Sequence, residues 1–395
     1  MSTTREVVIA SGVRTAIGTY GGSLVDSPAV ELAGKCVAAA VSKAGIGPDA
    51  VEHTFFGNVV RTEARDAYLA RCAAILGGLP ESVPALTVNR LCGSGLQAIV
   101  SAAQSILLGE ADCAIAGGAE SMSRAPYNLP GMRWGQRLGD GAAEDTLTAA
   151  LHDPFGNGHM GCTAENLAVK YAITRAEQDA LAVESHRRAA RAWDEGRFAG
   201  QVVPIEVMSR RETRVFDRDE HFRPDANVGS LAKLKPAFKE NGTVTAGNAS
   251  GLNDAAAALV LMERRAAEHA GVRPLARLVG YSYAGVDPAY MGIGPVPAVR
   301  SLMEKTGLSV ADMDVIELNE AFAAQALAVM RELDLPDDKT NANGSGISLG
   351  HPVGATGAVI AVKALHELHR TGGRYALITM CIGGGQGNAA IIERV

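Results

Sequence analysis

Aromatic residues make up only 5% of this 395-residue chain, and it has no C-x-x-C pair and no net positive charge. Each absence removes a class of function. A formal charge of −6 disfavours general binding to nucleic acid or to an anionic membrane. The six cysteines, at positions 36, 72, 92, 113, 162 and 381, follow neither a disulfide framework nor a zinc-like spacing. That scatter predicts reduced thiols in a reducing compartment and no metal site. No apolar run reads as the roughly 18 residues needed to cross a bilayer, the N-terminus MSTTREVVIA is unlike a signal peptide, and the C-terminus IIERV is not of the S-K-L type. The expectation is a soluble, cytoplasmic protein. With 47% hydrophobic residues the chain can bury a large core, and its length suggests two or three domains.

What is present is chemistry at turns. Ala85 to Asn89 reads as a β-strand, Gly93-Ser94-Gly95 breaks it, and Leu96, Ile99, Val100, Ala103 and Leu107 then recur at helical spacing. Cys92 therefore falls at the N-terminus of a helix, where unpaired N–H groups and the helix dipole favour a thiolate. A buried, inert cysteine is the competing reading at that position. Near the C-terminus, the strand pattern Tyr375 to Ile382 carries Cys381 and runs into Gly383-Gly384-Gly385. A glycine triplet lets backbone N–H groups face a ligand. Between the two cysteines stand Asn319, at the end of the apolar DVIEL, and His351, inside NGSGISLGHPVGATG. Two cysteines, a histidine and an asparagine thus lie at strand ends or glycine turns, where α/β proteins place their chemistry.

The pattern occurs twice. Lys43 to Asn58 (KAGIGPDAVEHTFFGN) corresponds to Lys305 to Asn319 (KTGLSVADMDVIELN), and each copy continues as glycine turn, helix and strand, with Cys92 opening one turn and His351 the other. Alternating strand and helix patterns predict βαβ units and a mostly parallel sheet. By itself the periodicity reaches a duplicated α/β protein. Between the copies lies a region of different character, roughly Ser121 to Asn248. It is rich in charge, glycine and proline, and it holds both tryptophans (Trp134, Trp193) and the run Arg210, Arg211, Arg214, Arg218 and Arg223. Glu206, Glu212, Asp217, Asp219 and Glu220 are interleaved with these arginines, which reads as a solvated face for most of them. Long segments without βαβ rhythm inside a compact protein are usually functional.

The segments NRLCGSG, GHMGCTAEN, GNASGLNDAAAA, NEAFAAQA, GHPVGATG and CIGGGQG follow one another along nearly the whole chain, and together they resemble a thiolase of the acetyl-CoA acetyltransferase or β-ketothiolase type. The resemblance implies an αβαβα layered sandwich made of two similar halves with an inserted loop domain. The halves would be 1–120, completed by 249–270, and 271–395, with 121–248 forming the loop domain over coenzyme A. It also implies the chemistry. Cys92 would carry the acyl group as a thioester, His351 would deprotonate or orient Cys92, and Cys381 would take the α-proton of the second acyl-CoA. Asn319 would anchor a water that forms an oxyanion hole with His351, and the N–H groups of Cys92 and Gly383 would form a second. Ser250 would meet the pantetheine, and Leu151, His159, Met160, Phe238, Met291, Ala321 and Phe322 would line its channel, although the apolar ones also read as ordinary core. Arg223 matches a family position near the adenine nucleotide, where a guanidinium suits phosphate. Coenzyme A thioesters would be substrates, with no tightly bound cofactor. The family also implies a homo-oligomer, a dimer or a dimer of dimers (homotetramer), with a place in fatty acid metabolism.

Two departures bear on substrate. Gly158 stands before His159 and Met160 where acetyl-specific relatives often carry an aromatic, and the histidine loop reads GSGISLGHP in place of the more usual GGAIALGHP. Both are expected to relax the acyl length. Two other functions share features with this pattern. A decarboxylating ketoacyl-synthase-like enzyme would also use a cysteine nucleophile but would not need Cys381, and an idle acyl-CoA-binding relative would not need all four catalytic positions filled.

Overall fold

The computed structural model describes residues 5–209 and 212–395; Arg210 and Arg211 lie outside the described residues. The first half contributes β1 (Val7–Thr15), α1 (Ala29–Ala44), β2 (His53–Gly57), α2 (Leu69–Leu76), β3 (Ala85–Val88), α3 (Ser94–Leu108) and β4 (Cys113–Ser121). The intervening region carries α4 (Met160–Lys170) and α5 (Arg175–Asp194), after which β5 (Asn253–Glu263) returns to the first half. The second half holds β6 (Ala276–Gly285), α6 (Pro295–Thr306), β7 (Val315–Leu318), α7 (Ala323–Leu333), α8 (Thr356–Thr371), β8 (Tyr375–Ile382) and β9 (Gln386–Arg394).

These strands join in the order β3-β2-β4-β5-β1-β6-β9-β8-β7. The two halves meet where β1 and β6 pair antiparallel, Val8 opposite Arg277 and Ile9 opposite Ala276. Reading outward from that junction, each half repeats one arrangement, with Thr340 bridging Ile316 where the first half has β3 beside β2. The expected mostly parallel sheet is instead mixed. β2 pairs parallel with β3 and β4, and β7 with β8, but β5 and β9 run antiparallel to both of their neighbours. One reversed strand per half, entered without a helical crossover, is enough to make most neighbouring pairs antiparallel.

Alternation along the strands builds five layers. Ala255, Ala257, Leu259 and Leu261 of β5 face a core shared with α3 and α8, whereas Ala256, Ala258, Val260 and Met262 face α1 and α2. In the other half Ala376, Ile378 and Met380 of β8 face α3 and α8, and Leu377 faces a core with α6 and α7. The layers are therefore helix, sheet, helix, sheet, helix, with α3 and α8 in the middle. One stretch, Leu91–Leu108, is long and apolar enough to cross a membrane, with mean hydropathy 1.4, contrary to the expectation from sequence. It is α3 with its entry turn, and its apolarity reflects a position covered on both sides by protein.

The middle helices approach closely at their N-termini. A Cβ on Gly357 would lie 2.2 Å from the Leu96 nitrogen and one on Gly95 2.6 Å from the Ala358 nitrogen. Only glycine lets two backbones meet at that distance. The crossing sets the turn before α3, with Cys92, against the turn before α8, with His351.

The intervening region is anchored rather than merely solvated. Asp219 is buried and accepts two hydrogen bonds from the Arg14 guanidinium of β1, at 2.7 and 3.0 Å, as well as the Trp193 indole N–H at 3.1 Å. Glu220 accepts from the N–H groups of Thr19 and Ser23. These two acids turn inward, while the reading of most of the arginines as a solvated face agrees with the described ones. Arg214 and Arg218 stay exposed.

Candidate active site

Cys92 sits one residue before Gly93, the N-cap of α3, on a tight turn in which Leu91 takes φ 45°. A non-glycine residue held there stores strain at the point where the thiol is presented. The turn is fixed by Ser94, whose hydroxyl donates to the Leu91 carbonyl at 2.7 Å and accepts from the Arg90 N–H at 2.8 Å. Burial pushes the Cys92 thiol above its ordinary pKa, and hydrogen bonds from the N–H groups of Gly383 and of Cys92 itself pull it back only in part. The helix N-terminus alone therefore does not make the thiol acidic, as the sequence had suggested. Desolvation outweighs it, and a base is needed.

That base is at hand. His351 and Cys381 line the same cavity as Cys92, together with Gly383. Burial lowers His351 to about 4, so the imidazole is neutral near pH 7. Burial, and next the neighbouring Cys92, push the Cys381 thiol far up. At rest the three groups are uncharged, and charge develops only with substrate in place. Gly383 is carried by the turn from β8 to β9, in which Gly384 and Gly385 take φ of +78° and +81°. That geometry is what the glycine triplet provides.

Asn319 ends β7, as Asn58 ends β2, and their contrast is informative. In the first half Gly57 pairs with Gly118, and Glu120, two residues further on, accepts from the Asn58 amide at 3.0 Å. In the second half Leu318 pairs with Thr379, and the residue two further on is Cys381. The duplication thus puts a thiol where the other half has a carboxylate. Asn58 is satisfied, whereas both polar atoms of the buried Asn319 amide have no protein partner. A buried amide with nothing to bond is a place for water or a ligand atom.

The cavity, of about 470 Å³, is also lined by Leu151, His159, Met160, Phe238, Ser250, Met291, Ala321 and Phe322. His159 caps α4, its Nδ1 accepting the Gly161 N–H at 3.0 Å, and its ring stacks on Phe238 at 4.6 Å. Phe322 meets Phe238 edge-on at 6.0 Å, so three rings in series form one wall. Burial, and next the neighbouring His152, lower His159 to about 4. With Nδ1 accepting, the neutral ring keeps its N–H on Nε2. Sequence reasoning did not single out Tyr20, Met122, Leu147 and Val353, which line the same cavity; Val353 stands within GHPVGATG, but the other three are in no motif.

Two residues named from sequence lie elsewhere. Asn319 is fully buried and does not line the cavity, and Arg223 lines a second cavity of about 350 Å³ with His186, His221, Asp225 and Ser230. The two cavities have Ala246 and Ala249 in common as lining residues. Gly158 does not line the cavity. It has φ +77°, and its Cβ would point at the Cys162 sulfur, 3.3 Å away, so glycine is there for the backbone and not to leave acyl space. The serines of GSGISLGHP likewise point away. Ser345 donates to the Leu318 carbonyl at 3.0 Å and Ser348 meets the Ser185 hydroxyl at 2.8 Å, both buried. Room beside Cys92 comes instead from a recess of about 20 Å³ whose wall includes Val59, Val60, Leu91, Ala150 and Val353.

Comparison with known proteins gives a consistent result. Residues 7–265 match the family described as "Thiolase, N-terminal domain" and residues 272–394 match "Thiolase, C-terminal domain". The chain is 63% identical over 393 residues to a protein named Beta-ketothiolase BktB from Cupriavidus necator, covering 99% of this chain and 100% of that one. It is 49% identical to an acetyl-CoA acetyltransferase from Chromobacterium violaceum, covering 98% and 100%. Among solved structures, human mitochondrial 3-ketoacyl-CoA thiolase in complex with CoA is 46% identical with a TM-score of 0.96, covering 99% of this chain and 98% of that one.

Proposed function

This protein belongs to the thiolase family, and from that premise we propose that Cys92, His351, Cys381, Asn319 and Gly383 carry out its acyl transfer. The enzyme is an acyltransferase that joins two acyl-CoA molecules to give 3-ketoacyl-CoA and free CoA, and runs the reverse thiolysis. The observation that carries the assignment is a single cavity holding two thiols and a neutral imidazole, with two backbone N–H groups on one of the sulfurs. His351 takes the Cys92 proton, the sulfur attacks the thioester carbonyl, and CoA leaves with that proton. The N–H groups of Cys92 and Gly383 hold the oxyanion of the tetrahedral intermediate. Cys381 passes its own proton to Nε2 of His351 and, as a thiolate, takes the α-proton of the second acyl-CoA, while the imidazolium and a water held by Asn319 stabilise the enolate oxygen. The α-carbon bonds to the acyl carbon, and the Cys92 sulfur leaves with the proton that His351 returns, so that both thiols and the imidazole end uncharged. A decarboxylating synthase or an idle relative leaves the buried Cys381 in this cavity unexplained.

Coenzyme A would enter past the His159–Phe238–Phe322 wall and Ser250, with its nucleotide toward Arg223 in the second cavity, under a loop domain formed by 121–248. No tightly held cofactor is needed for this chemistry. An acyl chain on Cys92 would extend into the apolar recess. Its volume is close to that of one water, which suits one added methyl group, and each buried methylene is favourable by about 0.8 kcal/mol. Propionyl-CoA is therefore an expected donor beside acetyl-CoA. A homodimer or homotetramer is proposed from the edge strand β3, where Leu86 is 47% exposed, and from the loop in which Trp134 is 92% exposed. A monomer by sedimentation would remove that proposal. Six unpaired thiols suit a reducing, cytoplasmic setting, and short-chain fatty acid metabolism is the proposed context. Finding the protein in an oxidising compartment would remove the first, and normal short-chain acyl-CoA pools in a deletion strain the second.

One experiment tests the centre of this reading. Incubation with acetyl-CoA or propionyl-CoA, followed by peptide mass spectrometry, should place the acyl group on Cys92, and iodoacetamide should label Cys92 before Cys36, Cys72, Cys113 or Cys162 unless acetyl-CoA protects it. Acylation of another residue would overturn the assignment.

A further inference from the structure

His351 can act as a base only if Nε2 carries a lone pair, and the structure contains a specific device for that. The residue is held twice. Its backbone N–H donates to Asn253 Oδ1 at 2.9 Å, and Asn253 in turn donates to the Gly18 carbonyl at 3.0 Å. Its ring is held separately, with Nδ1 2.6 Å from Oγ1 of Thr356, the first residue of α8. The Thr356 hydroxyl also lies 2.9 Å from the Pro352 carbonyl. A carbonyl oxygen can only accept, so a hydroxyl hydrogen aimed at Pro352, which also accepts from the N–H groups of Ala355 and Thr356, leaves the hydroxyl oxygen facing Nδ1 with a lone pair. In that arrangement Nδ1 bears the ring hydrogen. Nε2 is left bare, and it is the one polar atom of the ring without a protein partner.

We propose that Thr356 is the positioning residue of the catalytic base: by accepting from Nδ1–H it fixes the tautomer in which Nε2 of His351 faces the cavity as a proton acceptor. The proposal rests on the acylation step above. In that step the S–H bond of Cys92 breaks, its proton passes to Nε2, and a bond forms from sulfur to the thioester carbonyl carbon. The carbon–sulfur bond to CoA then breaks, and the departing thiolate takes the proton from Nε2. At the midpoint His351 is an imidazolium, and the Thr356 oxygen is already placed to accept from the more acidic Nδ1–H, with no reorganisation. The thiols Cys92 and Cys381 line the cavity with the ring, as do Asp145 and His159, and burial alone accounts for the lowered His351. Glu120 reaches this loop only through the Gly354 N–H, at 2.8 Å. No carboxylate orients the imidazole, and the hydroxyl does so without adding a charge.

Thr356 stands in the same GHPVGATG segment as His351, but its role is set by the turn between them. Thr356 follows His351 by five residues, and the contact exists because the turn Pro352–Ala355 folds back through the N–H groups of Ala355 and Thr356, which both donate to the Pro352 carbonyl. The side chain is 2% exposed and does not itself line the cavity.

The test uses the full-length enzyme and two variants, Thr356→Val, which keeps the shape and removes the oxygen, and Thr356→Ser, which keeps the oxygen. Nitrogen-15 NMR of histidine-labelled enzyme should show hydrogen on Nδ1 of His351 in the unmodified protein and in Thr356→Ser, and a loss of that preference in Thr356→Val. In single-turnover reactions with acetyl-CoA, Thr356→Val should acylate Cys92 about 10²-fold more slowly, with little change in the acetyl-CoA concentration giving half the maximal rate. Its rate of iodoacetamide alkylation should move to higher pH, toward that of an unassisted thiol. Thr356→Ser should recover most of the rate and the original pH profile. Hydrogen found on Nε2 in the unmodified enzyme would overturn the proposal, and so would a Thr356→Val variant with an unshifted pH profile. The NMR reading does not depend on which sulfur is acylated, so the tautomer is decided even if the nucleophile assignment fails.

Discussion

The duplication makes the two thiols of this enzyme unequal by descent of position. Cys92 opens the turn before α3, in the place His351 holds before α8, whereas Cys381 holds the place of Glu120. Glu120 accepts from the Asn58 amide and from the N–H groups of Val59, Val60 and Gly354, so it ties loops together. Cys381 has no such partners, which frees it to meet an α-carbon. Replacing it should therefore separate the two halves of the reaction. Cys381→Ser should leave acylation of Cys92 by acetyl-CoA within a few-fold of normal, yet lower condensation and thiolysis by roughly 10²-fold or more, the scale of a lost general base. Mass spectrometry of the trapped acyl-enzyme beside steady-state rates checks this, and a variant that fails to acylate would show that Cys381 acts earlier. Cys92, His351, Cys381 and Gly383 were legible because reactive residue types stand beside glycines at strand ends. The roles of Asn253, Glu120 and Thr356 were not, although Asn253 and Thr356 stand inside GNASGLNDAAAA and GHPVGATG, since a residue type does not show which group a folded-back turn or a neighbouring strand brings to it. Gly158 misled for a related reason: a missing side chain looks like space, and only the φ angle shows that it is a backbone requirement.

At the scale of elements, the site depends on how α3 and α8 begin. Both helices pack in the middle layer between the two sheet halves, and their N-terminal turns meet through Gly95 and Gly357. Sequence periodicity located these helices and the strands before them, because long apolar periods are strong signals. It could not give strand direction, since β5 and β9 read as ordinary buried strands whichever way they run, and a run of βα units invites the assumption of parallel pairing. Nor could it give the crossing distance. Gly357→Ala puts a Cβ 2.2 Å from the Leu96 nitrogen, a backbone atom that cannot swing aside. Overpacking of this kind costs about 1–3 kcal/mol. The change should lower the urea midpoint accordingly and reduce the rate of Cys92 alkylation, because the displaced helix carries its turn with it. Unchanged stability would mean that the layer has slack which the glycine contact hides.

For the molecule as a whole, burial governs the ionisable groups, and its effect on stability has a direction that can be worked out. His159, His186, His351 and His366 are each lowered to about 4, first by burial. In the unfolded chain they take protons near 6.5, so as pH falls below that value the unfolded state gains protons that the folded state refuses, and stability drops. Above 6.5 these histidines contribute no further change. Glu120 acts in the opposite sense. Burial, only partly offset by the N–H groups of Val60, Gly354 and Val59, raises it to about 8, and burial also raises Glu317 against the pull of Lys363. A folded carboxyl that keeps its proton while the unfolded one has lost it favours the unfolded state as pH rises. Stability should therefore fall between pH 6.5 and 8, by about 2 kcal/mol if Glu120 alone spans that 1.5-unit interval. Urea midpoints at pH 6.5, 7.2 and 8.0 measure the slope directly. A flat or rising profile would mean that Glu120 is held as an anion by its N–H donors, and the loops carrying Val60 and Gly354 would then be tied by a buried charge instead of a protonated acid.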